Sequence, residues 1–414
     1  GSSAGHVRVY KYNGTAWTQL GADINGEAAD DYSGQSVSLS SDGTALAIGA
    51  YGNDDSGSSA GHVRVYKYNG TAWTKLGEDI DGEAEDDKSG FSVSLSSDGT
   101  ALAIGASGNN DSGSDAGHVR VYKFNGTAWT KLGGDINGEA ADDYSGNSVS
   151  LSSDGTIVAV GAYGNDDSGS SAGHVRVYKY NGTAWTKLGE DIDGEAEDDK
   201  SGFSVSLSSD GTALAIGASG NNDSGSDAGH VRVYKFNGTA WTKLGGDING
   251  EAAGDKSGWS VSLSSDGTIV AIGAYLNDGT ASNAGHVRVY NLVNANAPVA
   301  SNVSAATVKN TDATIHLVAS DGDFDALTYT IVSDASNGTT SITGDTVTYT
   351  PTTDFVGTDS FTFKASDGAL DSTVKTVTIT VLGGYKTTQI QIGADIDGEA
   401  AEDYSGRSVS FNED

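Results

Sequence analysis

Residues 60–66 read Ala-Gly-His-Val-Arg-Val-Tyr, and this heptapeptide recurs along the chain at a constant spacing. Copies begin at residues 4, 60, 116, 172, 228 and 284, each 56 residues after the last. Residues 51–162 and 163–274 are also nearly identical, which indicates recent duplication of a double unit. A fixed period of this size predicts a solenoid, a propeller or an array of repeats.

One repeat contains the pattern of four short strands. Residues 36–40 and 62–66 alternate polar and apolar side chains, as half-buried strands do, and residues 72–76 complete the unit. Residues 45–50 (Ala-Leu-Ala-Ile-Gly-Ala) form a continuous small and apolar run, as expected for a strand packed on both faces. Asp42-Gly43 and Asn69-Gly70 provide tight hairpin turns. The sequence therefore predicts an all-β chain whose main domain is a β-propeller of four-stranded blades.

The repeat resembles the FG-GAP repeat of integrin-α-type propellers. The resemblance is carried by residues 87–94, 102–106 and 117–122, and it extends over about 1–295 and 385–414. Serine stands where the family has the Phe of Phe-Gly, for example at Ser33 and Ser89, so we expect aromatic packing to be lost at that corner. The loop that binds calcium in integrin-type repeats is reduced here to Ser-Ser-Asp-Gly-Thr. Because one carboxylate cannot supply six to eight oxygens, the family's calcium sites are not transferred.

A segment with a different pattern interrupts the sixth copy. Residues 296–384 contain alternating strands at 313–318, 327–332, 346–350, 360–364 and 374–381. The motifs at 349–351, 354–361 and 366–368 resemble Ig-like or cadherin-like domains of large bacterial surface proteins, which implies an inserted β-sandwich. The predicted domains are thus 1–295 (propeller, first part), 296–384 (inserted sandwich) and 385–414 (propeller, closing part). Six blades are favoured, because the two chain ends would complete one shared blade, and seven, the family norm, is the alternative.

Charge and composition exclude several classes of partner. The formal net charge is −33, so the surface repels nucleic acid and anionic lipid and attracts cations. The chain has no Cys, and its sequence contains no run of 18 apolar residues, so we expect no disulfide and no membrane insertion. With no Met, it is interpreted as a monomeric module from within a larger chain.

Strand direction places the long loops together. Strands in a blade alternate in direction, so the loops between strands two and three share one face with the loops that lead to the next blade. We call this the long-loop face. At its rim, the position after each Ser-Gly varies between otherwise similar repeats, and a Tyr or Lys precedes the Ser. Exposed aromatic groups beside polar ones are typical of contact surfaces, although neutral drift and packing between blades would give the same pattern. The predicted ligand-binding residues are Tyr32, Gln35, Phe91, Asn147, Phe203, Trp259 and Arg407.

Acidic loops on the same face are candidates for calcium. Their Asp-x-Asp/Asn-Gly-Glu pattern resembles part of a calcium-binding loop, and the alternative is that an Asp caps the turn into the next strand. A second candidate lies in the inserted domain, where the alternative is a solvated Asx-turn. The predicted metal ligands are Asp79, Asp81, Glu83 and Asp87, their copies Asp191, Asp193, Glu195 and Asp199, and Asp321, Asp323 and Asp325.

These features predict an extracellular bacterial adhesin module. Its propeller would bind a glycan or protein on another cell or surface through the long-loop face. The alternatives are a polysaccharide-active enzyme on a propeller scaffold and a purely structural spacer. Catalysis would need a set of reactive side chains found in one blade only, whereas His, Arg and Asp recur in copy after copy, so no enzymatic activity is expected. The recurrent His and Arg are predicted to pack between blades or to pair with acids.

Overall fold

A computed structural model of the chain describes residues 2–292, 297–321, 327–368 and 370–384. These residues form strands and turns, with no helix among them. Accordingly, no helix of the described part is long and apolar enough to cross a membrane. The chain divides into two compact units, residues 1–293 and 294–414, which we call the propeller unit and the sandwich unit.

The propeller unit begins with part of a repeat. It contributes β1 (His6–Val7), β2 (Tyr10–Tyr12), β3 (Trp17–Gln19) and β4 (Ile24–Asn25). β1 pairs with β4 and β2 pairs with β3, both antiparallel. These strands correspond to the end of a repeat, as the position of the first heptapeptide predicts.

The first complete repeat forms an antiparallel sheet. Its strands are β5 (Ser36–Leu39), β6 (Ala45–Ala50), β7 (His62–Tyr68) and β8 (Trp73–Lys75), paired in that order. A fifth strand, β9 (Ile80–Asp81), pairs with the beginning of β7. The sequence pattern assigned Ile80 and Asp81 to a loop, and this assignment was wrong. The pairing places the side chain of Ile80 in the interior of the unit, only 6% exposed.

The same sheet recurs along the chain. The next three repeats form β10 (Ser89–Leu95), β11 (Ala101–Ala106), β12 (His118–Phe124), β13 (Trp129–Lys131), β14 (Ile136–Asn137), β15 (Ser148–Leu151), β16 (Ile157–Ala162), β17 (His174–Tyr180), β18 (Trp185–Lys187), β19 (Ile192–Asp193), β20 (Ser201–Leu207), β21 (Ala213–Ala218), β22 (His230–Phe236), β23 (Trp241–Lys243) and β24 (Ile248–Asn249). The last described sheet of the unit contains β25 (Ser257–Leu263), β26 (Ile269–Ala274) and β27 (His286–Asn291).

The core lies between consecutive sheets. All six residues of β6 are buried, as the continuous apolar run predicts. Val63 and Val65 on one sheet pack in a cluster with Leu102 and Ile104 of the next. Gly49 is required there, because a Cβ on it would lie 2.0 Å from the carbonyl oxygen of Gly90 in the following repeat. Each repeat therefore has two apolar faces, and each face packs against the sheet of a neighbouring repeat.

The first strands of successive repeats gather around one axis. The N–H of Ser41 donates to the carbonyl of Ser97, and this contact is repeated from Ser97 to Ser153 and onward to Ser209 and Ser265. A cavity of about 130 Å³ is lined by these serines and by equivalent leucines of five repeats. This radial order of four-stranded sheets is that of a propeller.

The two ends of the described repeats expose apolar side chains. Trp17 is 68% exposed at one end, and Val287 and Val289 are 67% and 65% exposed at the other, whereas Val63 and Val65 are covered by the next repeat. The predicted closing segment, residues 385–414, lies outside the described residues. The preference for six blades over seven therefore stays a prediction.

The sandwich unit has two main sheets. Its strands are β28 (Val299–Ala300), β29 (Val303–Val308), β30 (Ala313–His316), β31 (Ala319–Ser320), β32 (Thr328–Ser333), β33 (Gly338–Thr343), β34 (Thr346–Pro351), β35 (Gly357–Ser366) and β36 (Lys375–Leu382). One sheet has the order β29-β36-β35-β32 and the other β30-β34-β33, with β28 and β31 forming a separate pair. Tyr349, Phe361 and Phe363 fill the core with aliphatic side chains from both sheets. The sequence predicted five of these strands and missed β28, β29, β31 and β33.

Candidate functional site

The two long loops of each repeat meet, as predicted. The N–H of Lys88 donates to the carbonyl of Ser59 at 3.0 Å, and the N–H of Asp86 donates to the carbonyl of Ser58 at 2.8 Å. Gly61 and Ser89 form a parallel bridge beside them. Main-chain bonds thus hold the loop between β6 and β7 against the loop that leads to β10, and fix the long-loop face.

Asp87 has the role of a turn cap. Its carboxylate is only 1% exposed and accepts backbone N–H bonds from Glu83 at 3.2 Å and Ala84 at 2.9 Å. The other carboxylate oxygen accepts the side-chain amide of Asn109 at 3.2 Å. Asp199 repeats this arrangement with Ala196 and Asn221. The capping alternative considered from sequence therefore describes these aspartates.

The predicted calcium ligands of one loop do not converge on a common point. Asp79 binds the ammonium of Lys75 at 3.0 Å, and Glu83 lies 3.5 Å from the guanidinium of Arg120. Asp81 has an exposed side chain on β9, and its main-chain carbonyl accepts a bond from Arg120 at 2.8 Å. With Asp87 engaged in its turn, the four residues are divided among three partners, namely Lys75, Arg120 and the turn itself.

The predicted metal ligands of the second loop make the same contacts as those of the first. Asp191 binds Lys187 at 2.9 Å, Glu195 lies 3.5 Å from Arg232, and the carbonyl of Asp193 accepts a bond from Arg232. In the sandwich unit, Asp321 follows β31, whereas Asp323 and Asp325 lie outside the described residues.

The serine that replaces the family's phenylalanine has a polar function. Ser89 is fully buried, and its Oγ accepts a bond from Arg120 of the next repeat at 3.0 Å. Trp129 likewise donates from its ring N–H to the carbonyl of Leu76 in the preceding repeat, at 2.8 Å. The predicted pairing of the recurrent Arg with acids is confirmed, as in Arg120 with Glu83. At the position of Ser89, a buried hydrogen bond replaces the aromatic packing that a phenylalanine would provide.

Three of the variable positions contact one another across successive repeats. Gln35 is exposed, Phe91 and Asn147 are half-buried, and Trp259 is 40% exposed. The side-chain amide of Asn147 donates to the carbonyl of Phe203 at 3.2 Å. The rings of Phe203 and Trp259 lie 4.3 Å apart. Residues of successive repeats that the sequence singled out are thus brought together, and Arg407 lies outside the described residues.

Tyrosines extend this surface outward. Tyr32 stacks on Tyr51 with ring centroids 5.1 Å apart, and Tyr51 meets the edge of Phe91 at 5.6 Å. The backbone of Tyr32 is left-handed, with φ 52°, a conformation that non-glycine residues rarely adopt. Bonds from its N–H to Ser3 and from Gln35 back to its carbonyl hold this turn. The strained turn directs the ring onto Tyr51.

We call these rings and a second group of contacting rings, taken together, the aromatic arc. Tyr144, Tyr163 and Phe203 repeat the contacts of the first group, and Tyr275 adds a further ring 4.4 Å from Trp259. The arc consists of Tyr32, Tyr51, Phe91, Tyr144, Tyr163, Phe203, Trp259 and Tyr275.

Sequence reasoning missed Tyr51, Tyr163 and Tyr275. A signal was present, because the position that follows β6 varies between repeats as Tyr51, Ser107, Tyr163, Ser219 and Tyr275. In the first four copies this tyrosine occurs where a tyrosine also precedes the Ser-Gly, and a serine occurs where lysine does. Such paired variation indicates contact between the two positions.

Comparison with known proteins gives two family matches. A model described as FG-GAP repeat matches residues 25–66, 137–178 and 249–290. A model described as bacterial Ig domain matches residues 295–380. A search of curated proteins gave no match.

Solved structures similar to the chain include several propellers. The β-propeller domain of the trilobed protease from Pyrococcus furiosus is 9% identical, with 80% of this chain and 94% of that chain covered and a TM-score of 0.36. The GH74 xyloglucanase from Xanthomonas campestris is 11% identical, with 91% and 53% covered and a TM-score of 0.36. The acylaminoacyl peptidase from Pyrococcus horikoshii is 11% identical, with 69% and 42% covered and a TM-score of 0.39. The chain thus spans about half or less of the xyloglucanase and the peptidase.

Proposed function

We propose that this chain, which combines an FG-GAP-repeat propeller with a bacterial Ig domain, is an extracellular adhesin module that binds its ligand on the aromatic arc. Both resemblances drawn from the sequence are confirmed by the family matches. The combination fits a surface or adhesin-like protein. The location of the protein and the identity of its ligand are part of the proposal.

The observation that carries the proposal is the arc itself. Tyr32, Trp259 and Tyr275 are 42%, 40% and 44% exposed although they contact other rings. Aromatic side chains that are held rigidly and remain partly exposed provide contact area at low entropic cost. Gln35 is bonded through its N–H to the carbonyl of Tyr32, and the amide of Asn147 donates to the carbonyl of Phe203, so both add polar side chains beside the rings.

The charge around the arc restricts the ligand class. The long-loop face carries exposed carboxylates in every repeat, and the chain as a whole has a formal net charge of −33. Such a field repels sulfated and uronic-acid polymers. We therefore favour a neutral glycan, with a protein of neutral or basic surface as the second candidate.

Binding is favoured over catalysis because the reactive side chains recur. The Arg and Glu of the long-loop face occupy equivalent positions in successive repeats and pair with each other in the same way, and the His recurs at one position of the repeat. A catalytic site normally needs groups that differ from their copies. The residues that do differ between repeats are aromatic and amide side chains, which suit recognition.

The test is a glycan array followed by titration calorimetry on the best hit. Trp259→Ala is expected to weaken binding at least tenfold, which corresponds to about 1.4 kcal/mol. Trp17→Ala is the matched control, because this tryptophan is 68% exposed and lies outside the arc. Equal affinity of the Trp259→Ala variant and the wild-type chain would exclude the arc as the binding site. An array without any hit would exclude the glycans tested, and the proposed ligand would then be a protein.

A further inference from the structure

A histidine and two carboxylates come together in each of four successive repeats. In every group, one ring nitrogen and two carboxylate oxygens lie within 4.8 Å of one another. We call these groups the histidine clusters. They are Glu27–His62–Asp79, Glu83–Asp111–His118, Glu139–His174–Asp191 and Glu195–Asp223–His230.

The histidines are buried without hydrogen-bond partners. The side chain of His62 is 0% exposed, and neither of its ring nitrogens makes a hydrogen bond with any described residue. His118, His174 and His230 are equally buried and equally unpaired in the described structure. A buried polar group that lacks a partner destabilises the folded state, and here the same unpaired ring occurs in four repeats. A recurring unpaired nitrogen beside carboxylates needs an explanation other than packing.

The protonation state of the rings suits ligation. Burial, followed by the neighbouring Arg64 guanidinium, lowers the pKa of His62, and burial followed by the Arg120 guanidinium lowers the pKa of His118. The rings are therefore neutral at pH 7, so that a nitrogen lone pair is available to a metal ion.

We infer that each histidine cluster is a binding site for one divalent transition-metal ion of the zinc class. Neutral imidazole combined with carboxylate is a donor set of zinc and its neighbours, whereas calcium takes oxygen donors alone. The structure regroups the residues that sequence analysis assigned to calcium. Asp79 joins His62, and Glu83 of the same loop joins His118 of the next repeat.

The ion would link separate segments of the long-loop face. Glu83 follows β9, and its cluster partners Asp111 and His118 belong to the next repeat, 28 and 35 residues farther along the chain. Local cations already share some of these carboxylates, as Lys75 does with Asp79 at 3.0 Å. A metal ion must therefore compete with Lys75 at Asp79, and with an Arg at the Glu of each cluster, as at Glu83. Asp111 lies within ion-pairing distance of His118 and is 61% exposed.

The sixth copy, which the inserted segment interrupts, supplies a natural contrast. His286 lies 3.6 Å from Glu251 and is 25% exposed, so its environment is more open than that of His62. The position equivalent to Asp111 and Asp223 is Gly279 in this copy, and the repeat is interrupted before the position equivalent to Asp79 and Asp191. We therefore expect four ions per chain, one for each histidine cluster.

The experiment is calorimetric titration of the whole, metal-stripped chain with Zn²⁺, supported by Co²⁺ absorption and by NMR of the imidazole rings. The test variant is Asp111→Asn with Asp223→Asn, because these carboxylates are 61% and 58% exposed and their loss leaves the core intact. The control variant is Asp86→Asn with Asp198→Asn, which removes the same charge from exposed positions outside the clusters.

The wild-type chain and the control are expected to bind about four Zn²⁺ ions, and the test variant about two, with the ring signals of His118 and His230 no longer shifted. Absence of Zn²⁺ binding to the wild-type chain would overturn the inference, as would an unchanged stoichiometry in the test variant. Binding with unshifted imidazole signals would also overturn it. No residue of the aromatic arc is a member of a cluster, so this result and glycan binding are independent of each other.

Discussion

The propeller unit and the sandwich unit differ in the kinds of side chain that they bury. Each repeat of the propeller buries His, Arg, Ser and Asp beside small and β-branched side chains, as His118, Arg120 and Ser89 illustrate. The described part of the sandwich unit instead concentrates Tyr349 and Phe363 in one apolar core. Interfaces between repeats thus contain many polar groups, and the sandwich has a core of the usual apolar kind.

The sandwich unit also buries a charged group, Asp359, and protein groups supply its hydrogen bonds. Asp359 is 5% exposed and accepts bonds from the N–H groups of Ser336 and Asn337 and from the hydroxyl of Tyr349 at 2.9 Å. Burial, together with this bond to Asp359, raises the pKa of Tyr349 to about 12. By contrast, the buried histidines of the propeller lack partners within the described chain. The metal ions proposed for the histidine clusters would supply the partners that these histidines lack.

Acidification is expected to change the stability of the propeller unit relative to that of the sandwich unit more than any other treatment considered below. Burial is the first cause that lowers the pKa of His62, His118, His174 and His230 from the usual 6.5. The folded state therefore stays neutral where the unfolded chain takes up protons, so stability present above pH 6.5 is lost as the pH falls below it. Each such histidine contributes a loss of at most about 1.4 kcal/mol per pH unit.

The measurement is thermal unfolding of the whole chain between pH 7.5 and 5.5, with chelator present. The melting transition of the propeller unit should fall, while that of the sandwich unit, whose His316 side chain is 70% exposed, should change little. His316→Gln is the control and should leave both transitions as they are. A propeller transition independent of pH in this range would contradict the prediction.

Removal of a core ring should affect the sandwich unit next most strongly. Phe363 is 0% exposed and packs in the cluster that contains Tyr349 and Val377. Phe363→Ala is expected to lower the free energy of unfolding of this unit by about 3–5 kcal/mol, because it leaves a cavity. Calorimetry should show the propeller transition unchanged, since the two units have separate cores. Val356→Ala, at a position that is 53% exposed, is the control. An equal fall in both transitions would show that the units do not unfold separately.

The sequence predicted what depends on local pattern. Alternation and tight turns located the four main strands of each repeat, and the direction of the strands placed the two long loops together. The pattern also offered turn capping as one role for Asp87, and the structure gives that residue this role. These features depend on neighbours a few residues apart, which periodicity and turn chemistry describe.

The sequence could not predict what depends on the spacing between repeats. Glu83 reaches His118 across 35 residues, and Phe203 reaches Trp259 across 56, because the sheets lie side by side around the axis. The recurrence of histidine was interpreted as packing or pairing with acids, and the structure does bury His118 with Asp111 4.0 Å from its ring, but one repeat alone does not show which carboxylates gather there. β9 was missed because two residues are too few to show a period.

Calcium is expected to produce the smallest change, and mainly in the propeller unit. Exposed carboxylates such as Asp81, Glu85 and Asp86 crowd the long-loop face, where a divalent cation reduces their mutual repulsion. Their better-placed neighbours, such as Asp87, already have protein partners, so we expect weak binding. At a calcium concentration equal to the dissociation constant, the gain in unfolding free energy is about 0.4 kcal/mol.

The measurement is the melting temperature of each unit with millimolar calcium, with magnesium and with chelator. Calcium should raise the propeller transition slightly and magnesium less, because magnesium requires a stricter octahedral geometry. Asp81→Asn with Asp193→Asn should reduce this rise, since both carboxylates are exposed and lie outside the histidine clusters. A response confined to the sandwich transition would assign the calcium to the loop that begins at Asp321. If neither transition responds, the acids act as turn caps and solvating charge, and the calcium prediction made from the sequence is wrong.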